Sequence, residues 1–311
     1  MFTHMDYIYE VYKEKSFSNA AKNLFISQSS LSLTIKRAEE KIGMPIFDRS
    51  TYPIQLTEFG VLYISAVEEI RGISNNLTDY IYDVNHLKKG HLSVGAGNFF
   101  STYYVASAIS AFKEKYPNIS VNMMEGRTFD LEPQLAKGSI DILVTNAQLD
   151  GSIYSKTHLF EEQLILAVPQ KYLTEEAFLQ TAITYEELTQ KTACSKPGIS
   201  LKIITDIPFI GMRQGNDLRK RTTEIMKSIN LNPNYVLELD QTSTAFRLAC
   251  GGMGACIIGD TVIQKLGCPP DLYLFRIDHA LAHREVAVYT RNSIYTARTV
   301  KKFIDLLHEQ T

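Results

Sequence analysis

Along residues 16–60 the apolar positions first fall at helical spacing in two short runs, then shift to the alternation of strands. Ser18 is placed to cap a first helix whose inner face is Ala20, Ala21 and Leu24. Ala21 is small enough to let a crossing helix approach. Ile26 plugs the turn, Ser27 caps a second helix, and Leu31 and Ile35, four apart, point inward. Gly43 and Pro45 stop that helix. Ile46-Phe47-Asp48-Arg49 and Ile54-Gln55-Leu56 then read as two strands around Ser50-Thr51-Tyr52-Pro53. Two helices on a tight turn, followed by strand–turn–strand, form a winged helix-turn-helix, a device that lays one helix in the DNA major groove.

Behind this unit the pattern changes to a 3.5-residue repeat. Thr57 caps and Glu58 sits in the first turn, where a negative charge suits the helix dipole. Tyr63, Ala66, Ile70, Ile73, Leu77, Tyr80, Val84 and Leu87 then recur in alternating steps of three and four, which suits a coiled-coil seam. Residues 58–88 would form a helix of about 45 Å at the usual rise per residue. A helix packed on its own chain would show similar spacing, so both readings stand at this point. Lys88-Lys89-Gly90 ends the helix and is the clearest boundary in the chain.

From residue 91 onward strand and helix patterns alternate. Leu92–Ala96, Val121–Glu125 and Ile140–Val144 read as strands, separated by helices over Tyr103–Lys115 and Leu131–Lys137. This is βαβαβ, which predicts a largely parallel sheet. A second set follows: strands at Leu164–Val168, Phe209–Met212, Val236–Leu239 and Ala255–Ile258, with helices over Asn216–Ser228 and Thr244–Cys250. Late strands at Leu272–Ile277 and Glu285–Tyr289 and a helix over Tyr295–Leu307 remain. The fold class is therefore α/β. Its expected divisions are a DNA-binding unit at 1–60, a linker helix at 61–89 and a two-lobed domain at 90–311. Lobe I takes about 90–163 and 267–311, and lobe II about 164–266. Between such lobes, crossed twice by the chain, a small ligand should bind.

Composition alters this picture little. The 311 residues carry 32 Lys+Arg against 34 Asp+Glu, and residues 1–60 are formally neutral, so DNA affinity must come from placement of charge and from dimerisation. The longest apolar runs fall far short of a membrane span and MFTHMDYIYE is no signal peptide, so a cytoplasmic protein is expected. Cys194, Cys250, Cys256 and Cys268 show no metal-ligand spacing with the seven histidines and read as reduced thiols; Cys250 and Cys256 are core residues or, alternatively, a redox-sensing pair.

Gln28, Ser29, Ser32 and Lys36 share the outer face of the second helix. Gln bonds adenine bidentately and Ser pairs with several bases, although an ordinary solvated face would look the same. Arg49 suits a phosphate contact or a salt bridge to Asp48 or Glu58.

The run Ser16-Phe17-Ser18-x-Ala20-Ala21-x-x-Leu24-x-Ile26-Ser27-Gln28-Ser29-Ser30-Leu31-Ser32 resembles the N-terminus of LysR-type transcriptional regulators. The likeness continues through Ile35, Glu39, Ile42-Gly43-x-Pro45-Ile46-Phe47-Asp48-Arg49 and Leu56-Thr57-x-x-Gly60. Phe160-Glu161-Glu162-x-Leu164-x-Leu166-x-Val168-Pro169 and Ala249-Cys250-Gly251-Gly252-Met253-Gly254-Ala255 resemble later parts of the family.

The resemblance implies a sequence-specific regulator of transcription, a homodimer or homotetramer, set by a small-molecule effector held between lobes similar to those of periplasmic binding proteins. It implies double-stranded DNA as partner, RNA polymerase as a further one, and no cofactor, metal or membrane. Position by position, Ser27, Gln28, Ser29, Ser30, Ser32 and Leu33 fall on the recognition helix, and Lys36 and Arg49 at backbone-contacting places. Where the family often has Pro this chain has Ser29, and Leu33 stands where a polar residue is frequent. Leu33 would meet thymine methyls or simply make the operator preference atypical. The effector would meet Gly97-Asn98-Phe99-Phe100-Ser101, Thr128 and Asn146 from lobe I and Arg213-Gln214-Gly215-Asn216 from lobe II. Arg213 and the helix after it suit a carboxylate and Phe99 and Phe100 an apolar body; a solvated charge and core packing are the plainer readings. The dimer seam would use Ile70, Ile73, Leu77, Tyr80 and Val84.

Two other function classes fit less well. An enzyme would need a nucleophile–base pair, metal motif or phosphate loop in 91–311, and none is legible. A free solute receptor would not carry the N-terminal winged helix.

Overall fold

The computed structural model describes residues 2–84, 90–173, 180–190, 196–292 and 296–310, and for 75–84 the backbone alone. The chain divides into two compact units, residues 1–81 with 136–139, and residues 82–135 with 140–311.

In the first unit α1 (Met5–Glu14), α2 (Phe17–Asn23) and α3 (Gln28–Ile42) precede the short strands β1 (Phe47–Asp48) and β2 (Gln55–Leu56). The sequence pattern did not separate α1, because three tyrosines interrupt its apolar stripe of Ile8 and Val11. The cap of α2 is Ser16, whose hydroxyl accepts from Asn19 N–H at 3.3 Å, and not Ser18. Phe17 sets this start, since its ring packs edge-on against Phe47 inside the unit. Gly43 closes α3 at φ +88°, a left-handed position that a side chain would strain. β1 and β2 pair antiparallel, with Phe47 opposite Leu56, and form the wing.

Helix α4 runs Glu58–Val84, capped by Thr57 to Gly60 N–H at 2.9 Å. Its first turns cover the helix-turn-helix core: Tyr63, Ile64 and Val67 are buried there, with Tyr63 5.5 Å from the Phe2 ring. Tyr63 therefore belongs to its own unit and leaves the expected seam. At 100° per residue Leu62, Ala66 and Ile73 lie within 40° of one another, on a different face. Leu62 and Ile73 are 67% and 69% exposed, and Ile70 is half-buried. The side chains of Leu77, Tyr80 and Val84, and all of Leu87, lie outside the described residues.

The second unit holds a nine-stranded sheet in the order β4-β3-β5-β11-β6-β9-β7-β8, with β10 also on β6. Strands β3 (Gly90–Ala96), β4 (Ile119–Glu125) and β5 (Ile142–Thr145) are parallel, as are β7 (Pro208–Met212), β8 (Asn234–Leu239) and β9 (Ala255–Gly259). The sheet is mixed rather than largely parallel, because β6 (Tyr154–Pro169) and β11 (His283–Arg291) run antiparallel to their neighbours.

β6 makes one sheet of two lobes. Its residues Tyr154–Gln163 pair with β11 beside the first lobe, and Leu164–Ala167 pair with β9 of the second. Each lobe has its own core, around Phe112 and Phe303 in one and Phe209, Phe246 and Phe275 in the other. β10 (Leu272–Arg276) pairs with Ile165–Pro169 and buries Leu272, Leu274 and Phe275 in the second core. The stretch 267–277 thus goes with lobe II rather than lobe I, and the chain returns to lobe I only at β11.

Candidate functional site

The polar face of α3 begins at its cap. Ser27 Oγ accepts from Ser30 N–H at 3.2 Å and lies 3.1 Å from Ser29 Oγ, so these hydroxyls hold the first turn in shape. Gln28 is exposed, with no hydrogen-bond partner among the described residues, and Leu33, one turn on from Ser29, is exposed too. Lys36 stands 3.9 Å from Glu40, both largely solvated, a pair worth little. A helix opening with a free amide, hydroxyls and one apolar tip suits base edges in a major groove.

Arg49 does something else. Neither Asp48 nor Glu58 is its partner: Asp48 takes two hydrogen bonds from Ser50, which hold its carboxyl below the usual range. Arg49 instead pairs with Glu39 at 2.9 Å, comes within 3.4 Å of Ser32 Oγ, and lies over the Phe17 ring at 5.2 Å. The other Glu39 oxygen accepts the N–H groups of Ile46 (2.7 Å) and Phe47 (3.1 Å). One buried carboxylate thus ties the recognition helix to the wing and aims Arg49. In the sequence Glu39 is only a position of the family-like motif, with no role assigned to it. Glu39→Ala should destabilise the first unit by about 2–4 kcal/mol, since two buried N–H groups lose their acceptor. Glu39→Gln, which keeps an acceptor, should lose less; chemical denaturation of the two variants checks the order.

In the second unit a cleft of about 350 Å3 opens between the lobes. From lobe I it is lined by Gly97-Asn98-Phe99-Phe100 and by Thr128 and Asn146. Thr128 and Thr145 hydroxyls meet at 2.7 Å. From lobe II come Gly215, Asn216 and Asp217, where Asn216 caps the helix Asp217–Ser228 through Leu218 N–H at 2.9 Å. Three expected residues are not in the lining. Ser101 is buried and donates to the Ala96 carbonyl, Gln214 lies outside, and Arg213 turns to Asp240 at 3.0 Å. Phe99 and Phe100 serve both readings, since they line the cleft and pack into the lobe cores.

The floor of the cleft is a buried ion pair. Arg284 Nε donates to Glu162 at 2.5 Å, with the two side chains 4% and 1% exposed. Arg284 Nη1 is 3.7 Å from Asp217, and the Asn146 carbonyl, turned to the guanidinium, accepts from it at 2.9 and 3.3 Å. Thr261 hydroxyl bonds the other Glu162 oxygen, and Gly259 leaves that carboxylate the space a Cβ would fill. Asp217 is also held by Arg221 at 2.8 Å. One network therefore joins β6, β11, the loop after β5 and a lobe II helix.

Of these groups only Asn146 was expected. Glu162 and Arg284 lie opposite each other across the β6–β11 ladder but 122 residues apart in sequence, so no local spacing signals them.

Burial raises the thiols of Cys250, Cys256 and Cys268, the last to about 11, so they stay protonated and poorly nucleophilic. Cys256 packs in the second-lobe core, as the core reading of that pair expects; Cys194 lies outside the described residues. No described helix is long and apolar enough to cross a membrane.

Residues 2–61 match the family model described as bacterial regulatory helix-turn-helix protein, lysR family, and residues 85–311 that of the LysR substrate binding domain. YcgK of Bacillus subtilis, an HTH-type transcriptional regulator, is 27% identical over 98% of this chain and 93% of its own. A probable RuBisCO transcriptional regulator of Cyanidioschyzon merolae is 26% identical over 81% of this chain and 79% of its own. Among solved structures, full-length OxyR of Pseudomonas aeruginosa superposes with a TM-score of 0.72 at 19% identity, covering 99% of this chain and 94% of that one. Full-length CbnR complexed with its target DNA gives 0.65 at 15% identity, over the whole of both chains. A winged helix followed by a two-lobed ligand domain, matched along nearly the entire sequence, places the chain in the LysR family of transcriptional regulators, which bind DNA through the first element and a small-molecule effector through the second.

Proposed function

We propose that this regulator reads its operator with Gln28, Ser29 and Leu33, supported by Ser27, Ser30 and Ser32, and is switched by an effector held in the 350 Å3 cleft. Lys36 and Arg49 would track phosphates, Arg49 from the position Glu39 gives it. The protein would act in the cytoplasm, without a cofactor, as paired or fourfold copies. CbnR, of the same fold, is complexed with its target DNA.

The cleft-floor network carries the switching half of this reading. Asn146, Glu162, Arg284 and Asp217 come from parts of both lobes, so a polar ligand there competes for or adds to bonds that fix one lobe against the other. Only a difference in affinity between two lobe arrangements can shift their balance. The volume admits a metabolite-sized molecule. With Arg213 turned to Asp240, its carboxylate would be met by the Thr128 and Thr145 hydroxyls and the cleft-floor guanidinium rather than by Arg213.

Gln28→Ala tests the reading half. Operator binding should weaken by about 1–3 kcal/mol while binding to a random duplex of equal length is unchanged. Gel-shift titration at two salt concentrations measures both, and an equal loss on random DNA would assign Gln28 to the backbone.

A further inference from the structure

Glu162 lines two cavities, not one. Behind the cleft floor lies a second space of about 560 Å3, larger than the cleft, bounded by β6, the helix Asp260–Leu266 and the first-lobe residue Tyr104. Its walls combine an aromatic pair with aliphatic surface. Tyr104 stacks on Phe160 with ring centroids 5.0 Å apart, and Leu188 and Ile165 close the apolar side.

The polar side is acidic. Asp260 Oδ1 accepts from Gln163 N–H at 3.2 Å and Thr261 N–H at 2.8 Å, while Oδ2 takes no hydrogen bond from a described residue. Two nearby basic groups face carboxylates other than that of Asp260, Arg284 on Glu162 and His158 on Glu285 at 2.8 Å, while Arg276 is held by the Lys196 carbonyl at 2.7 Å and His283 completes the lining. Burial and the Glu162 charge lift the Asp260 acid to about 6, and burial with the charges of Glu162 and Asp260 lifts the Tyr104 phenol to about 12.

The chain already places a cation here. The Lys265 ammonium sits 4.8 Å from the Tyr104 ring centroid, the geometry of a cation–π contact. A metal ion fits poorly, since no three candidate ligands converge among the described residues. An anion would meet Glu162 and Asp260 with like charge. An ammonium group on an apolar body satisfies both sides: its N–H donors reach the free Asp260 oxygen and its body covers Phe160 and Leu188.

We propose that this second cavity is a binding site for a small organic ammonium compound, with Asp260 as counter-ion and the Tyr104–Phe160 wall as its apolar seat. The site is distinct from the effector cleft and goes beyond the function proposed above. It touches that function through Glu162, a residue that lines both cavities.

Calorimetric titration of the full chain without DNA tests it, using 2-phenylethylammonium, 2-phenylethanol and phenylacetate at matched ionic strength. The ammonium probe should bind saturably, and the neutral and anionic probes at least tenfold more weakly. Asp260→Asn, which keeps an acceptor for both backbone N–H groups, should weaken the ammonium probe at least tenfold. Gln264→Phe, which fills the cavity and leaves the carboxylate, should do the same and serves if the first variant does not fold. Equal binding of phenylacetate, saturable binding by none of the three, or unchanged affinity in a folded Asp260→Asn or Gln264→Phe would overturn the proposal. So would loss of the signal in Ser243→Ala, which alters only the cleft. Operator gel shifts stand apart from all these titrations, so a failure here leaves the DNA reading intact.

Discussion

Arg284→Met should lower the stability of the chain by about 3–5 kcal/mol, the usual cost of leaving one member of a buried ion pair without the other. The loss is expected to be large because Glu162 is almost wholly buried and cannot turn to water, and Asp217 and Asn146 lose the same guanidinium at once. Glu162→Gln alone should cost less, because the amide carries no charge and can still accept from Thr261. Replacing both partners, Glu162→Leu with Arg284→Met, should recover most of the loss, since a buried pair exchanged for apolar groups is often close to neutral. Denaturant unfolding of the three variants gives the comparison. A fully stable Arg284→Met chain would mean that the buried pair contributes nothing net to folding and that the guanidinium serves the cleft alone.

That network also marks the limit of what the sequence shows. The winged helix is legible because its determinants are local: a cap, a four-residue spacing and a left-handed glycine at Gly43 all act within a few residues. The lobes are legible as alternating strands and helices, apart from the short helices Tyr185–Thr189 and Asp260–Leu266 and one longer element. The first half of β6, Tyr154–Gln163, carries Lys156, His158 and Glu161 on its open side and lacks a continuous apolar run. Pairing with β11 makes it a strand, and β11 lies 120 residues on. Without β6 in place, Arg284 has no visible neighbour and β10 has no lobe.

Arg213 and Arg49 illustrate the same point from the other side. Both are correctly picked out as charged residues at the end of a local element, and both acquire a role that only distant chain decides. Arg213 meets Asp240 because parallel β7 and β8 bring their C-terminal ends together. Arg49 meets Glu39 because the wing folds back on the recognition helix.

The heptad behind the wing is the remaining sequence signal, and its strongest consequence concerns assembly. Leu62→Asp together with Ile73→Asp should convert the protein to monomers in sedimentation experiments and reduce operator affinity by about 10²- to 10⁴-fold, the usual worth of joining two binding modules. Both side chains are more than three-fifths exposed in the single chain, so the substitutions should leave its own core and melting behaviour nearly unchanged. This separates them from a substitution at Tyr63, which shares the repeat but is buried beneath Phe2 and Phe59 and would damage the DNA-binding unit itself. A large apolar residue every three or four positions has no use on a solvated helix, while a second copy of the same helix would cover it by knobs-into-holes packing. Unchanged assembly in the double variant would move the interface away from α4, and half-site spacing on the operator would then have to be set by the ligand-binding unit.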